Sequence, residues 1–300
     1  MTNRKSGRLD IYQSHFGKGQ LERVSPLAIP YDVSHNTAKD SREYELFKEI
    51  FKSRGSNPKP WGLVSWKFQH KAIVPLDEFY QFADEKLADG YQCVFINPMI
   101  GNEAVFKNVW EQGALVHKGF IAINTFIAER YPKAVNSVSG LDSFAFCNYF
   151  VATPKFWSYY FKFVDAMVFA LNKEARAGTG AGQVWSGSAH YSRDLEVTMR
   201  PFVIERLFSA LILSGSDIKA CAYPYSGKHY IQKFGQQLGA ILADLSFLKN
   251  KAITKRSIEE LAEWQRLRNK LYESPARGPI LNLDDPPNIF LDPDYSVQRK

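Results

Sequence analysis

Apolar and polar positions along the chain follow two periods in alternation. Short apolar runs bounded by Gly, Pro or polar clusters read as strands: LDIYQSHF (residues 9–16), WGLVSWKF (61–68), CVFINP (93–98) and FAFCNYFVA (144–152). Between them lie segments with apolar residues at helical spacing. Tyr44, Phe47, Ile50 and Phe51 follow Asp40 and Glu43, which have capping-box spacing, so a helix is expected from Asp40. PLDEFYQFADEKLADG reads as a helix ending at Gly90, and shorter helical pieces are expected over 104–112 and 120–130. Thr153-Pro154 has the form of an N-cap followed by a first-turn proline, opening KFWSYYFKFVDAMVFAL. ARAGTGAGQVWSGSAHYS is rich in Gly and Ser, lacks a phosphate-loop ending, and is expected to be a mobile loop. Strands alternating with helices predict an α/β fold with a mostly parallel central sheet.

The last fifty residues depart from this pattern. SIEELAEWQRLRNKLYES has a Ser257/Glu260 capping box and Ile258, Leu261, Trp264, Leu267 and Leu271 along one stripe. A Pro-rich polar tail follows. The expected division is one domain over 1–245 and a C-terminal extension over 246–300. Lys255, Arg256, Arg266, Arg268 and Lys270 make that helix basic. This is either a solvated face over a packed stripe, or a dock for an anionic membrane or a second copy of the chain.

Composition narrows the class only modestly. Of 300 residues, 45% are hydrophobic and 23% charged, as in ordinary globular proteins. The net charge of +7 suits a polyanionic partner of any kind. The three cysteines, Cys93, Cys147 and Cys221, are far apart without metal-site spacing, which predicts free thiols in a reducing compartment. MTNRKSGRLD has no apolar core of a secretion signal and no run reaches membrane-span length, so a cytoplasmic protein, able to sit peripherally on the inner membrane face, is expected.

The stretch MRPFVIERLFSALILSG places Glu205 and Arg206 inside an almost wholly apolar helix. Charges there need a partner or a task. Adjacent helical side chains point about 100° apart, so the two do not serve each other well. Either they brace neighbouring loops, or Glu205 is a carboxylate base and Arg206 holds a diphosphate. Open α/β sheets bind ligands at the carboxyl ends of their strands. The polar residues expected there are Asp32, Asn36 and Arg42 after the first strand, Ser65-Trp66-Lys67 after the second and Asn97 after the third. Asp142, Asn148 and Tyr149 lie around the fourth. Trp66 beside Lys67 offers a flat face and a cation, suited to a nucleobase or sugar and to phosphate, or else is an edge residue with a snorkelling lysine. His190, Arg193 and Arg200 either clamp phosphates or are solvated loop charges. No metal-site spacing is present, and no Walker, GxGxxG, GxSxG or HExxH pattern. The charges form no nucleic-acid stripe and no RNP1 pattern appears, so nucleic acid is not the expected partner.

WGLVSWKF, VFINP about thirty residues later, FKNVWEQG, CNYFVATPKFW and PFVIERLFS together resemble bacterial glycosyltransferases encoded in capsule, O-antigen and other surface-glycan loci. The resemblance spans residues 9–226, roughly three quarters of the chain. The chain is also distantly similar to the galactofuranosyltransferase-type domain family. There, a GL-x-HYRR-F strand stands in the place of WGLVSWKF, and an ERL helix stands at Glu205-Arg206-Leu207. The resemblance implies a GT-A-like fold, a single nucleotide-binding α/β/α domain that uses a nucleotide-sugar donor. It implies a glycan or lipid-diphosphate-linked acceptor for surface polysaccharide. Asp32, Asn36, Arg42, Trp66, Lys67, Asn97, Arg200 and Arg206 would bind the donor. Asp142, Asn148, Tyr149 and His190 would face the acceptor, with Glu205 as base. Asn97-Pro98 stands where many members carry Asp-x-Asp. This argues against manganese or magnesium held in the usual way, and for neutralisation by Lys67, Arg200 and Arg206. An inactive relative serving as a subunit of a glycan-assembly complex, a nucleic-acid-binding module, and self-association into a homo-oligomer remain the alternatives.

Overall fold

The computed structural model describes residues 8–36, 42–189, 197–215 and 217–273. The chain begins with β1 (Asp10–His15), a single turn α1 (Lys18–Leu21), β2 (Ile29–Asp32) and α2 (Glu43–Arg54). β3 (Trp61–Ser65) is followed by α3 (Phe68–Ala72) and α4 (Leu76–Ala88), then by β4 (Cys93–Phe95). Four short helices, α5 (Ile100–Val105), α6 (Val109–Val116), α7 (Ile121–Arg130) and α8 (Pro132–Asn136), lead to β5 (Phe150–Ala152). After it come α9 (Pro154–Ala177), α10 (Gly180–Ser186), α11 (Arg200–Ser214) and β6 (Ala220–Ala222). The chain continues through α12 (Gly227–Phe234), α13 (Gln236–Lys255) and α14 (Ile258–Glu273). No helix among the described residues is long and apolar enough to cross a membrane.

The architecture is α/β with a mixed six-stranded sheet in the order β2-β1-β3-β5-β4-β6. β1 pairs in parallel with β2 and β3, and β4 with β6, while β5 runs antiparallel to both β3 and β4. The chain leaves β1 for β2 on one side and then returns to place β3 on the other. The carboxyl ends of β1 and β3 therefore flank a topological switch point, where open sheets leave a crevice.

Aromatic packing holds the reversed strand in place. Gly62 of β3 is required because a Cβ there would stand 2.2 Å from the Phe150 carbonyl oxygen. Trp61 stacks on Trp157 of α9 at 4.0 Å, and the Trp157 indole donates to the Trp61 carbonyl at 3.0 Å. Phe150 stacks on Phe208 of α11 at 4.6 Å. β5 is thus clamped between two helices, with all three of its residues buried.

The sequence expectations are corrected at several points. The 61–68 strand ends at Ser65, because the chain turns through Trp66 and Lys67 and Phe68 starts α3. The 144–152 strand pairs only over its last three residues; Asn148, at φ 52°, interrupts the extended backbone. The Gly-rich segment after α9 contains α10, capped by the Thr179 hydroxyl accepting from the Gly182 N–H. A Cβ at Gly182 would meet the Glu174 backbone at 2.2 Å, so this glycine permits two helices to touch. The helix expected from Asp40 is described from Glu43, its proposed cap lying outside the described residues. The expected boundary at 246 falls inside the continuous α13.

Candidate functional site

β1, β2 and β3 end in register, with His15 opposite Asp32 and Ser14 opposite Ser65. Their tips are fastened to one another. The buried Gln13 side chain donates to the Ser65 carbonyl at 3.2 Å and accepts from the Ser25 N–H at 2.8 Å. The Trp66 N–H donates to Ser14 O at 3.0 Å, carrying the ladder one residue past the strand. The Trp66 ring, half-buried, has two cations against it. Lys67 Nζ lies 4.9 Å from its centroid and the Arg23 guanidinium carbon 5.5 Å. Exposed Asp32 accepts from Ser34 N–H at 2.9 Å, and hydrogen bonds from Ser34 hold its carboxyl below the usual range. Asn36 donates to the Arg42 carbonyl at 3.2 Å. The structure therefore places Trp66 and Lys67 at the switch point, with Asp32 on the far side of β1 at the tip of β2, and adds Arg23 and His15. Those two residues belong to a loop and a strand end that carried no motif.

A second group occupies the adjoining tips of β3 and β5. The Ser65 hydroxyl and the Tyr149 phenol lie 2.5 Å apart. Burial raises the Tyr149 pKa, and the Lys71 ammonium acts against that rise. Lys71 of α3 is itself held above the ordinary lysine range. The Tyr149 oxygen is the largest cause, opposed by burial, and Cys147, Glu205 and Glu43 add to the rise. Half-buried Glu205, one turn into α11, thus acts on the same lysine as the Tyr149 phenol. Lys71 was missed in the sequence, although it lies one helical turn beyond Lys67, the spacing of side chains that share a face.

Three buried polar atoms of the same edge have no hydrogen-bond partner: His15 Nδ1, Asn97 Nδ2 and Asn148 Oδ1. Orphaned polar atoms of this kind are uncommon and mark places where a ligand or water completes the bonding. Asn97 Oδ1 is already taken by the Met99 N–H at 3.1 Å, and the next carbonyl, Pro98 O, accepts from the buried Lys233 ammonium. The turn after β4 therefore offers a metal ion no carboxylate, and a cation is lodged there already. Among the described residues no group of three or more His, Cys, Asp or Glu side chains converges as a metal site.

Arg206 corrects the expectation that it holds a diphosphate. It is 1% exposed. Nε donates to Val109 O at 3.0 Å, Nη1 to Phe202 O at 2.6 Å and Nη2 to the Gln112 side-chain oxygen. Its guanidinium lies 4.8 Å from the Phe146 ring centroid and 5.2 Å from that of Phe120. These contacts tie α11 to α6 inside the protein and seal the guanidinium from solvent. Arg200, the first residue of α11, lies against Trp185 at 5.5 Å. Asp142 accepts from Ser143 Oγ at 2.8 Å on a segment that Asn250 of α13 holds through the Leu141 N–H. His190 and Arg193 lie outside the described residues. A groove of about 460 Å³ beside Arg130, Lys133 and Ile212 lies by the end of α11.

Comparison with protein-family models, curated proteins and solved structures returned no match.

Proposed function

We propose that the protein is a glycosyltransferase that moves a sugar from a nucleotide-sugar donor to a glycan or lipid-linked acceptor in bacterial surface-polysaccharide synthesis. The finer fold reading that goes with it is a GT-A-like nucleotide-binding domain. One observation carries the proposal: the Lys67 ammonium and the Arg23 guanidinium both lie against the Trp66 ring past the tip of β3, with the Asp32 carboxylate at the tip of β2. A flat aromatic face flanked by cations suits a ribose or nucleobase joined to a diphosphate, and a carboxylate suits ribose hydroxyls. Asn36 and Arg42 extend the donor side.

In this reading the acceptor lies toward Asn148 and Tyr149. Glu205 takes the acceptor hydroxyl proton as that oxygen forms its bond to the anomeric carbon. The anomeric carbon–oxygen bond to the diphosphate breaks, and the electron pair leaves with the nucleoside diphosphate. Lys67 and Arg23 supply the counter-charge that Arg206 does not.

The test is a thermal-shift panel of UDP, GDP, CMP and dTDP sugars, with and without manganese. A ligand at a hundred times its dissociation constant adds about 2.7 kcal/mol to the folded state. One nucleotide class is expected to raise the melting temperature, and Trp66→Ala with Lys67→Ala to abolish the rise. Glu205→Gln is expected to keep the rise and lose sugar transfer. Donor binding without transfer by the native protein would point to an inactive subunit. No donor response, together with a salt-sensitive RNA gel shift, would replace the enzyme with a nucleic-acid-binding module.

A further inference from the structure

α9 is the longest helix described, and its two faces differ in kind. Phe156, Trp157, Tyr160, Phe161, Val164, Met167 and Leu171 pack into the core. The outward face carries Lys155, Tyr159, Lys162, Ala166, Phe169, Lys173 and Arg176, all exposed. They recur at steps of four and three residues, the spacing that keeps side chains in one line along a helix. From Lys155 to Arg176 the line runs about 32 Å at 1.5 Å per residue. It holds four cations and two exposed aromatics, Tyr159 at 42% and Phe169 at 63%.

Its charge is little offset. Asp165, beside the line, is bound at 2.8 Å by Lys48 of α2 and accepts from the Tyr44 hydroxyl at 2.8 Å. Glu174 is half-buried, and Lys52 adds a further exposed cation from α2. By contrast the C-terminal helix, the expected dock, has three of its five expected cations in ion pairs. Arg268 pairs with Glu111, Arg266 with Glu263, and Glu260 with Lys251 and Lys255.

We propose that the outward face of α9 docks the protein on an anionic lipid bilayer. The cations lie against the headgroup phosphates, and Tyr159 and Phe169 enter the interfacial layer. A straight line of cations along one helix matches a flat anionic plane. The two aromatics are ten positions apart, roughly 15 Å along the axis. That is several times the 3.4 Å step of a nucleic-acid strand, so they do not form a platform for successive bases. Cations near an anionic surface contribute about 1 kcal/mol each, and aromatic rings favour the interface.

The test is co-sedimentation of the full chain with vesicles of phosphatidylglycerol and phosphatidylethanolamine, against vesicles of phosphatidylcholine. Binding is expected to the anionic vesicles, to weaken as salt rises, and to be near background on phosphatidylcholine. K155Q/K162Q/K173Q/R176Q is expected to weaken it by on the order of several hundred-fold, from about 1 kcal/mol per cation. Lys-to-Arg replacement at the three lysines should preserve it. Phe169→Ser should weaken binding while leaving the salt dependence in place. All these positions are exposed, so circular dichroism should show every variant folded. Undiminished binding by the quadruple variant, or equal binding to phosphatidylcholine, overturns the proposal. So does an RNA gel shift that the same four changes abolish while native protein ignores the vesicles. The assay involves no sugar transfer, so its failure is separate from failure of the enzyme reading.

Discussion

A guanidinium sealed inside a protein persists only where acceptors meet its N–H groups, and at Arg206 two carbonyls and one amide oxygen do so. Truncating it leaves buried acceptors orphaned at about 1–3 kcal/mol each, and leaves a space between α6 and α11. Arg206→Met is therefore expected to lower stability by about 3 kcal/mol or more in denaturant titration, while the folded fraction keeps its melting shift with the donor. Loss of donor binding at undiminished stability would return Arg206 to the site. The same guanidinium affects His117, which is 8% exposed and packs on Phe202 with ring centroids 4.8 Å apart. Burial first, and the Arg206 charge second, push the His117 pKa from 6.5 down to about 3. The unfolded chain then takes up a proton near pH 6.5 that the folded protein refuses until about pH 3. This contribution to stability is complete above pH 6.5 and is lost as pH falls toward 3. The loss expected across that window is on the order of a few kcal/mol. His117→Gln should flatten that part of the stability–pH curve, and an unchanged slope would remove His117 from the account.

At the scale of elements, local chemistry was legible where it acts within a few residues. The Thr153 hydroxyl accepts from Phe156 N–H at 3.3 Å and Pro154 opens α9, as the pair Thr-Pro announces. Ser257 Oγ accepts from Glu260 N–H at 3.2 Å at the start of α14. The Glu260 carboxylate, expected to reach back to the cap, instead meets Lys251 and Lys255. Errors arose where distant partners decide. Phe144 to Phe146 look like strand because they are apolar, yet this segment is buried by packing: the Ala145 N–H donates to Ser209 Oγ of α11 at 2.9 Å. Gly182 looked like flexibility and serves contact between α9 and α10. The same division runs through the site. Trp66 and Lys67 follow β3 directly and were readable as a strand tip, whereas Asp32 ends β2, a strand the apolar pattern did not announce. Arg23, His15 and Lys71 are brought there by sheet order and helix placement, which no spacing in the sequence encodes. Glu205 and Arg206 pose one question and receive two answers, because the 100° step between adjacent helical positions leaves Glu205 half-buried and turns Arg206 into α6.

For the molecule as a whole, the question is whether the C-terminal helices form a unit of their own. Glu103 of α5 and Lys249 of α13 are both 0% exposed and lie 3.6 Å apart. The carboxylate accepts from Tyr230 at 3.2 Å, Ser246 at 2.6 Å and Asn250 at 3.0 Å, while the ammonium donates to Phe106 O at 2.8 Å. Trp264 of α14 is 0% exposed and its indole donates to Ala104 O at 2.8 Å. α5 follows β4 directly, so these contacts join the last two helices to the sheet domain through buried, hydrogen-bonded charge. Removing one member of such a pair costs about 3–5 kcal/mol, because its partner remains buried without compensation. The whole described fold is therefore expected to melt as one unit. Far-UV circular dichroism and tryptophan fluorescence should give the same midpoint, and Lys249→Met should lower both together. Two separated transitions, with Lys249→Met moving only the smaller, would restore the division at residue 246.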